Sequence, residues 1–204
     1  MVGQGDTASE ARDRTGNGVA DGASSAEWWD VLAADGLPTG RVVVRNTSGD
    51  PAANLGPGEY HRAVGVCVFD GRGQVLIQQR SADRAVNPGK WDCAGGGSVL
   101  AGETSQRAAT RELAEEVGID IDFAGVRPAL TIANPDNFFD IYLADAPGLD
   151  IGALALQAGE VQAVRWAGLG EVRAMLAEGV FWPYHPSLID LLFALHERPG
   201  SGTG

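Results

Sequence analysis

The chain has 204 residues, 44% of them hydrophobic, which is enough for one core with tails and too little for two independently folding domains. Its formal charge of −12 speaks against sustained binding of a DNA or RNA polymer, because phosphate backbones are held by clusters of Lys and Arg. No stretch reaches the roughly 18 apolar residues of a membrane span, and the start MVGQGDTASE is followed by no apolar export segment, so a cytoplasmic protein is expected.

Residues 1–26 are rich in Gly, Ser, Ala and Asp without apolar periodicity and predict a disordered tail, as do residues 199–204. The span 27–198 then reads as a single domain. It opens with Glu27-Trp28-Trp29-Asp30-Val31-Leu32, a Gly/Pro turn and the β-branched run Arg41 to Arg45, which predicts a small N-terminal hairpin. Trp28 and Trp29 there are candidate contacts for a homodimer. Next, His61 to Phe69 and Val75 to Gln79 flank Asp70-Gly71-Arg72-Gly73, the turn chemistry of a second hairpin. Ser81 to Gly97, with Asn87-Pro88-Gly89 and three consecutive glycines, predicts a loop. A helix follows from about Thr104 to Val117, stopped by Gly118. Strands are predicted over Ala129–Ile132, Asp140–Leu143 and Val161–Trp166, and helices over Leu169–Glu178 and Ser187–His196. Alternation of this kind favours an α/β fold, a mixed sheet with helices on its faces.

Cys67 and Cys93, the only cysteines, make neither a disulfide framework nor a zinc site and are expected as free thiols. Lys90 is the single lysine among 15 basic residues, a bias that with 29 glycines suggests a GC-rich, actinobacterial coding source.

The helix carries the chemistry. At about 100° per residue, Glu112, Glu115 and Glu116 fall within an arc of roughly 100° and share a face. Leu113, Ala114 and Val117 are expected on the packing side, and Ala108 and Ala109 to leave room on the acidic side. Like charges at i,i+3 and i,i+4 repel by a few tenths of a kcal/mol per pair, about 0.2–0.5. Divalent cations would remove that repulsion, and an all-oxygen set suits Mg²⁺ or Mn²⁺. A solvated acidic face is the alternative.

Gly97, Glu103, Arg111, Glu112, Leu113, Glu115, Glu116, Gly118 and Ile119 match G-x5-E-x7-R-E-U-x-E-E-x-G-U, with U apolar, at every defined position. On these residues the chain resembles the Nudix hydrolases, over about residues 60–170. The resemblance implies an α/β/α sandwich, a small-molecule diphosphate substrate, and Mg²⁺ or Mn²⁺ as cofactor. It implies that Arg111 and Glu103 brace the loop behind Gly97, and that Glu112, Glu115 and Glu116, with the carbonyl of Gly96, hold cations. Glu112 and Glu115 are the candidates for activating water. Glu160, ahead of Trp166, is a further candidate ligand. Arg80 and Lys90 are candidates for binding phosphate.

The stretch Tyr60 to Asp92 also resembles the branch that includes isopentenyl diphosphate isomerase. Aligned on Gly102-Glu103, however, that enzyme's cysteine falls on Gly96 and its following histidine on Ser98, and of its metal-binding histidines only His61 has a counterpart. The acid and base of an isomerase are therefore missing at the matching places. A prenyl diphosphate hydrolase, an isomerase-like enzyme and a ligand-sensing domain without turnover remain the alternatives. Phe138, Phe139, Phe181, Trp182 and Tyr184 are expected either in a pocket or in the core.

Overall fold

The computed structural model describes residues 26–47 and 50–197, so the tails expected over 1–26 and 199–204 lie almost wholly outside the described residues. The β-branched run and the tryptophan pair form the expected N-terminal hairpin, β1 (Trp28–Leu32) antiparallel to β2 (Pro38–Val44). Trp29 is buried and stacks on His61 with ring centroids 3.9 Å apart, while Trp28 stays 51% exposed. Only one of the two tryptophans is therefore left at the surface as a contact for another molecule.

β3 (His61–Phe69) and β4 (Gln74–Arg80) follow as expected, with the Asp70 carboxylate accepting from the amides of Arg72 and Gln74 to close the turn. The two strands do not continue as a hairpin. Their only registered pair is Phe69 with Val75, after which they part. The opening between them is filled by two short strands in the segment expected as a loop: β5 (Trp91–Cys93) pairs with β4, and β6 (Gly95–Ser98) pairs with β3. Glycine at 95 to 97 lets β6 lie close to its neighbours, since a Cβ on Gly95 would stand 3.1 Å from the Leu113 backbone and one on Gly96 3.0 Å from the Val64 carbonyl.

β3 also runs parallel to β8 (Asn137–Asp145), β7 (Leu130–Ala133) pairs antiparallel with β8, and β9 (Val161–Gly168) with β4, which makes a mixed seven-stranded sheet. One face, through Val64, Val66, Val68 and Leu76, packs under α1 (Ser105–Val117) by way of Ala108, Ala109, Leu113 and Val117. The other face, through Cys67, Phe69, Val75 and Ile77, is covered by α2 (Leu169–Ala177) and α3 (Pro186–His196). The architecture is the expected α/β/α sandwich with a small hairpin at its N-terminal end. Among the described residues no helix is long and apolar enough to cross a membrane.

Two features fix α1. Thr104 caps its start by accepting from the Arg107 amide, and Gly118 ends it in the left-handed region at φ 73°. Buried Asp140 then ties that start to the sheet, accepting from Arg62 at 2.9 Å and from Ser105 and Thr131 at 2.6 Å each. Two expectations for this helix are corrected: Ala114 is exposed and Glu116 is buried, and Ala108 and Ala109, expected to leave room on the acidic side, are packed in the core. The packing sector is rotated toward the acids, so Glu116 sits on the packing side, Glu112 at its edge and Glu115 outside.

Candidate active site

A cavity of about 690 Å³ opens over the glycine strand, a size typical of small-molecule sites. Its floor is Gly95, Gly96, Gly97 and Ser98, and one wall is Arg111, Glu112, Glu115 and Glu116. Arg80, Arg84 and Glu160 line it from elsewhere in the chain.

Arg111 organises the acidic wall. Nε and Nη2 grip the two oxygens of Glu103 at 3.0 and 2.9 Å, and Nη2 also donates to the Ser98 carbonyl at 3.1 Å. Nη1 reaches Glu112 at 2.8 Å and Glu115 at 3.2 Å. Only a planar, multiply donating guanidinium can serve loop and helix together in this way. Glu103 in turn accepts from the Leu100 amide at 3.0 Å. The hairpin braces the same loop, with the Trp28 carbonyl accepting from Ala101 and Asp30 from Gly102. Gly97 lets the Glu112 carboxylate rest against the strand, because a Cβ there would overlap it and displace it.

Glu116 is 5% exposed. Its Oε2 accepts from Gln78 Nε2 at 2.7 Å and from the Gly96 amide at 3.0 Å, while Oε1 takes no hydrogen bond among the described residues. Burial pushes the Glu116 carboxyl up to about 8, opposed by the Gln78 hydrogen bond and reinforced by the charge of Glu112. Burial likewise pushes Glu112 up to about 7, against the pull of Arg111. Glu115 sits at the rim with its side chain 51% exposed.

The surrounding groups differ in kind. Arg84 is ion-paired to Glu160. Arg80 lies over the Trp182 ring at 5.1 Å, donates to the Val86 carbonyl and has no carboxylate within salt-bridge distance among the described residues. Partly buried Asp92 accepts from Tyr184 at 2.9 Å, and desolvation raises its carboxyl to about 6. Of the aromatic residues considered, Phe139, Trp182 and Tyr184 line the cavity, whereas Phe181 is core and Phe138 packs against Tyr60. Lys90 is not on the cavity wall. Sequence reasoning missed Arg84, Asp92 and Gln78. The last had a visible signal, a glutamine inside an otherwise apolar strand.

Do these residues fit divalent cations? Among the described residues no three ligating side chains already converge as a closed cage, since Arg111 holds Glu112 and Glu115 while Gln78 holds Glu116. The donors are nonetheless all oxygen, and the Glu112 and Glu116 carboxyls are both raised by desolvation, which a cation would offset. That combination fits Mg²⁺, which takes one or two carboxylates, keeps waters and completes its shell on substrate phosphate instead of in an all-protein cage.

The NUDIX domain model matches residues 59–190. The chain belongs to the Nudix family. An uncharacterized Nudix hydrolase of Listeria monocytogenes is 37% identical over 158 residues, covering 78% of this chain and 89% of its own. An isopentenyl-diphosphate Delta-isomerase of Streptomyces coelicolor is 27% identical over 158 residues, covering 75% and 80%. In fold, a solved protein of Deinococcus radiodurans superposes with a TM-score of 0.61 at 21% identity, over 84% of this chain and all of its own. This Nudix protein is a hydrolase, of a family that generally cuts diphosphate linkages with divalent metals.

Proposed function

We propose that this chain hydrolyses the diphosphate linkage of a nucleotide or nucleotide derivative with Mg²⁺, or Mn²⁺ in its place. The observation that carries the reading is the pairing of partly buried Glu112 and buried Glu116, both carboxyls raised by desolvation, on one cavity wall with the arginines Arg80 and Arg84 elsewhere on it. Glu112, Glu115, Glu116 and Glu160, with the Gly96 carbonyl, would hold the cations. When bound, the cations supply positive charge that offsets charge building on the phosphate oxygens. Arg80 orients the diphosphate, and Arg84 does so from within its pair with Glu160. Glu112, resting on the glycine floor, accepts the proton of the attacking water more readily than Glu115 at the rim.

A nucleotide is favoured over a prenyl diphosphate by the polarity of the remaining lining. Asn134, Asp136 and Asn137 form a hydrogen-bonded edge on the cavity, with Asn134 donating to Asn137 at 3.0 Å and Asn137 to Asp136 at 2.8 Å. Phe139, Trp182 and Tyr184 add aromatic surface. A hydrocarbon chain would use the rings but desolvate this polar edge without offering it new partners. Against isomerisation, both thiols are buried, 3.3 Å apart, and neither lies on the cavity wall.

The test is a Mg²⁺-dependent screen for phosphate and pyrophosphate release. It spans nucleoside di- and triphosphates, nucleotide sugars, dinucleotides and prenyl diphosphates, with Glu115→Gln and Glu116→Gln as controls. Release from a nucleotide class, lowered roughly 10³-fold in Glu116→Gln, is expected. Wild-type turnover in both variants would refute the site, and double-bond migration in a prenyl diphosphate without phosphate release would refute the hydrolase.

A further inference from the structure

We propose that Gln78 is a positioning residue for cation binding: its amide clamps one oxygen of Glu116 so that the other is presented to a divalent cation. The inference rests on the reading of Glu116 as a cation ligand. Gln78 is 2% exposed and lies on the face of β4 that also carries Leu76, beneath α1. The amide leaves its Oε1 buried with no partner among the described residues, an unfavourable arrangement for a neutral polar group. Packing alone gives no reason for it.

The bond made by Nε2 does. Gln78 Nε2 from β4 and the Gly96 amide from β6 converge on the same oxygen, Oε2 of Glu116, at 2.7 and 3.0 Å. A carboxylate held by two donors on one oxygen cannot turn about its terminal bond without breaking both. The direction of Oε1, which accepts no hydrogen bond, is thereby set. The arrangement also selects orientation of the amide, because the reverse placement would set two oxygens against each other. Gln78 touches neither cation nor substrate in this scheme and acts entirely through Glu116, as hydrogen-bonding partners behind metal ligands do.

The experiment uses the full chain with Gln78→Met, which keeps length and removes the donor, and Gln78→Asn, which keeps the amide but withdraws it by one methylene. Mn²⁺ binding is followed without substrate by the electron paramagnetic resonance signal of free Mn²⁺. Both variants are expected to bind Mn²⁺ about 10-fold or more weakly, and if Gln78→Met does not fold, Gln78→Asn carries the test. The Mg²⁺ concentration for half-maximal hydrolysis should rise by the same factor, with kcat recovering at saturating Mg²⁺. Wild-type Mn²⁺ affinity in the variants overturns the proposal, as does a loss of kcat that added metal does not restore. The underlying reading fails separately, if Glu116→Gln binds Mn²⁺ as tightly as the wild type.

Discussion

The acidic wall of the cavity and its cationic lining are held by different means. The acidic wall comes from one continuous segment, Gly95 to Glu116, in which a strand, a loop and a helix are joined by the Arg111 fork and the Gly96 amide, with Gln78 of β4 as a second donor to Glu116. The cationic lining comes from the end of β4, Arg80, and the loop after it, Arg84, and it is held by a partly buried ion pair to Glu160 and a cation–ring contact with Trp182. A rigid wall suits groups whose geometry controls the chemical step. A looser one suits groups that bind many shapes of diphosphate.

The comparison breaks most visibly at Arg111. Arg111→Ala leaves Glu103 and Glu112 without their shared partner, and kcat is expected to fall about 10³-fold with a loss of about 2 kcal/mol in stability. Steady-state kinetics and thermal unfolding read the two together, and an unchanged kcat would mean that the fork does not organise the site. Gly97→Ala should spare the fold more, since the Glu112 carboxylate can move aside, while kcat drops about 10²-fold from misplacement. On the other side, Arg80→Ala should raise KM about 10-fold, or about 1.4 kcal/mol, and leave kcat within about threefold. A kcat defect there would erase the distinction between the two sets of groups.

Legibility in the sequence follows the same division. The box, a helix start near Thr104 and its stop Gly118 were readable because the interacting residues are neighbours in the chain, and β3 because its run is apolar from Ala63 to Phe69. The helical spacing gave the angles between Glu112, Glu115 and Glu116. It did not say which sector would be buried, because that depends on where the sheet lies, and so Ala114 and Glu116 exchanged places. Strand β6 was hidden by its glycines, whose role is close approach and not β propensity, and β5 by its length of three residues. Arg84 and Asp92 had no local signal at all, since their partners Glu160 and Tyr184 are far along the chain.

The smallest expected effect is on pH dependence. Glu112 and Glu116 hold protons to about 7 and about 8 when folded, against an ordinary value of 4.5, so the metal-free folded chain binds more protons than the unfolded chain across that window. Stability from these groups is therefore present near pH 4.5 and falls as pH rises toward 8. The melting temperature without metal should decline by a few degrees from pH 5 to 8, about the size expected for a partial loss of this kind. Mg²⁺ should flatten the decline, and an equal slope in Glu116→Gln would show that other groups govern it.

The most direct measurement is calorimetric titration of Mg²⁺ into the full chain at pH 7, without substrate, in two buffers of different ionisation enthalpy. Because two carboxyls raised by desolvation must give up protons to take a cation, the account predicts saturable binding with proton release, abolished in Glu112→Gln/Glu116→Gln. Binding that is identical in the double variant, or no binding in the wild type, would contradict it.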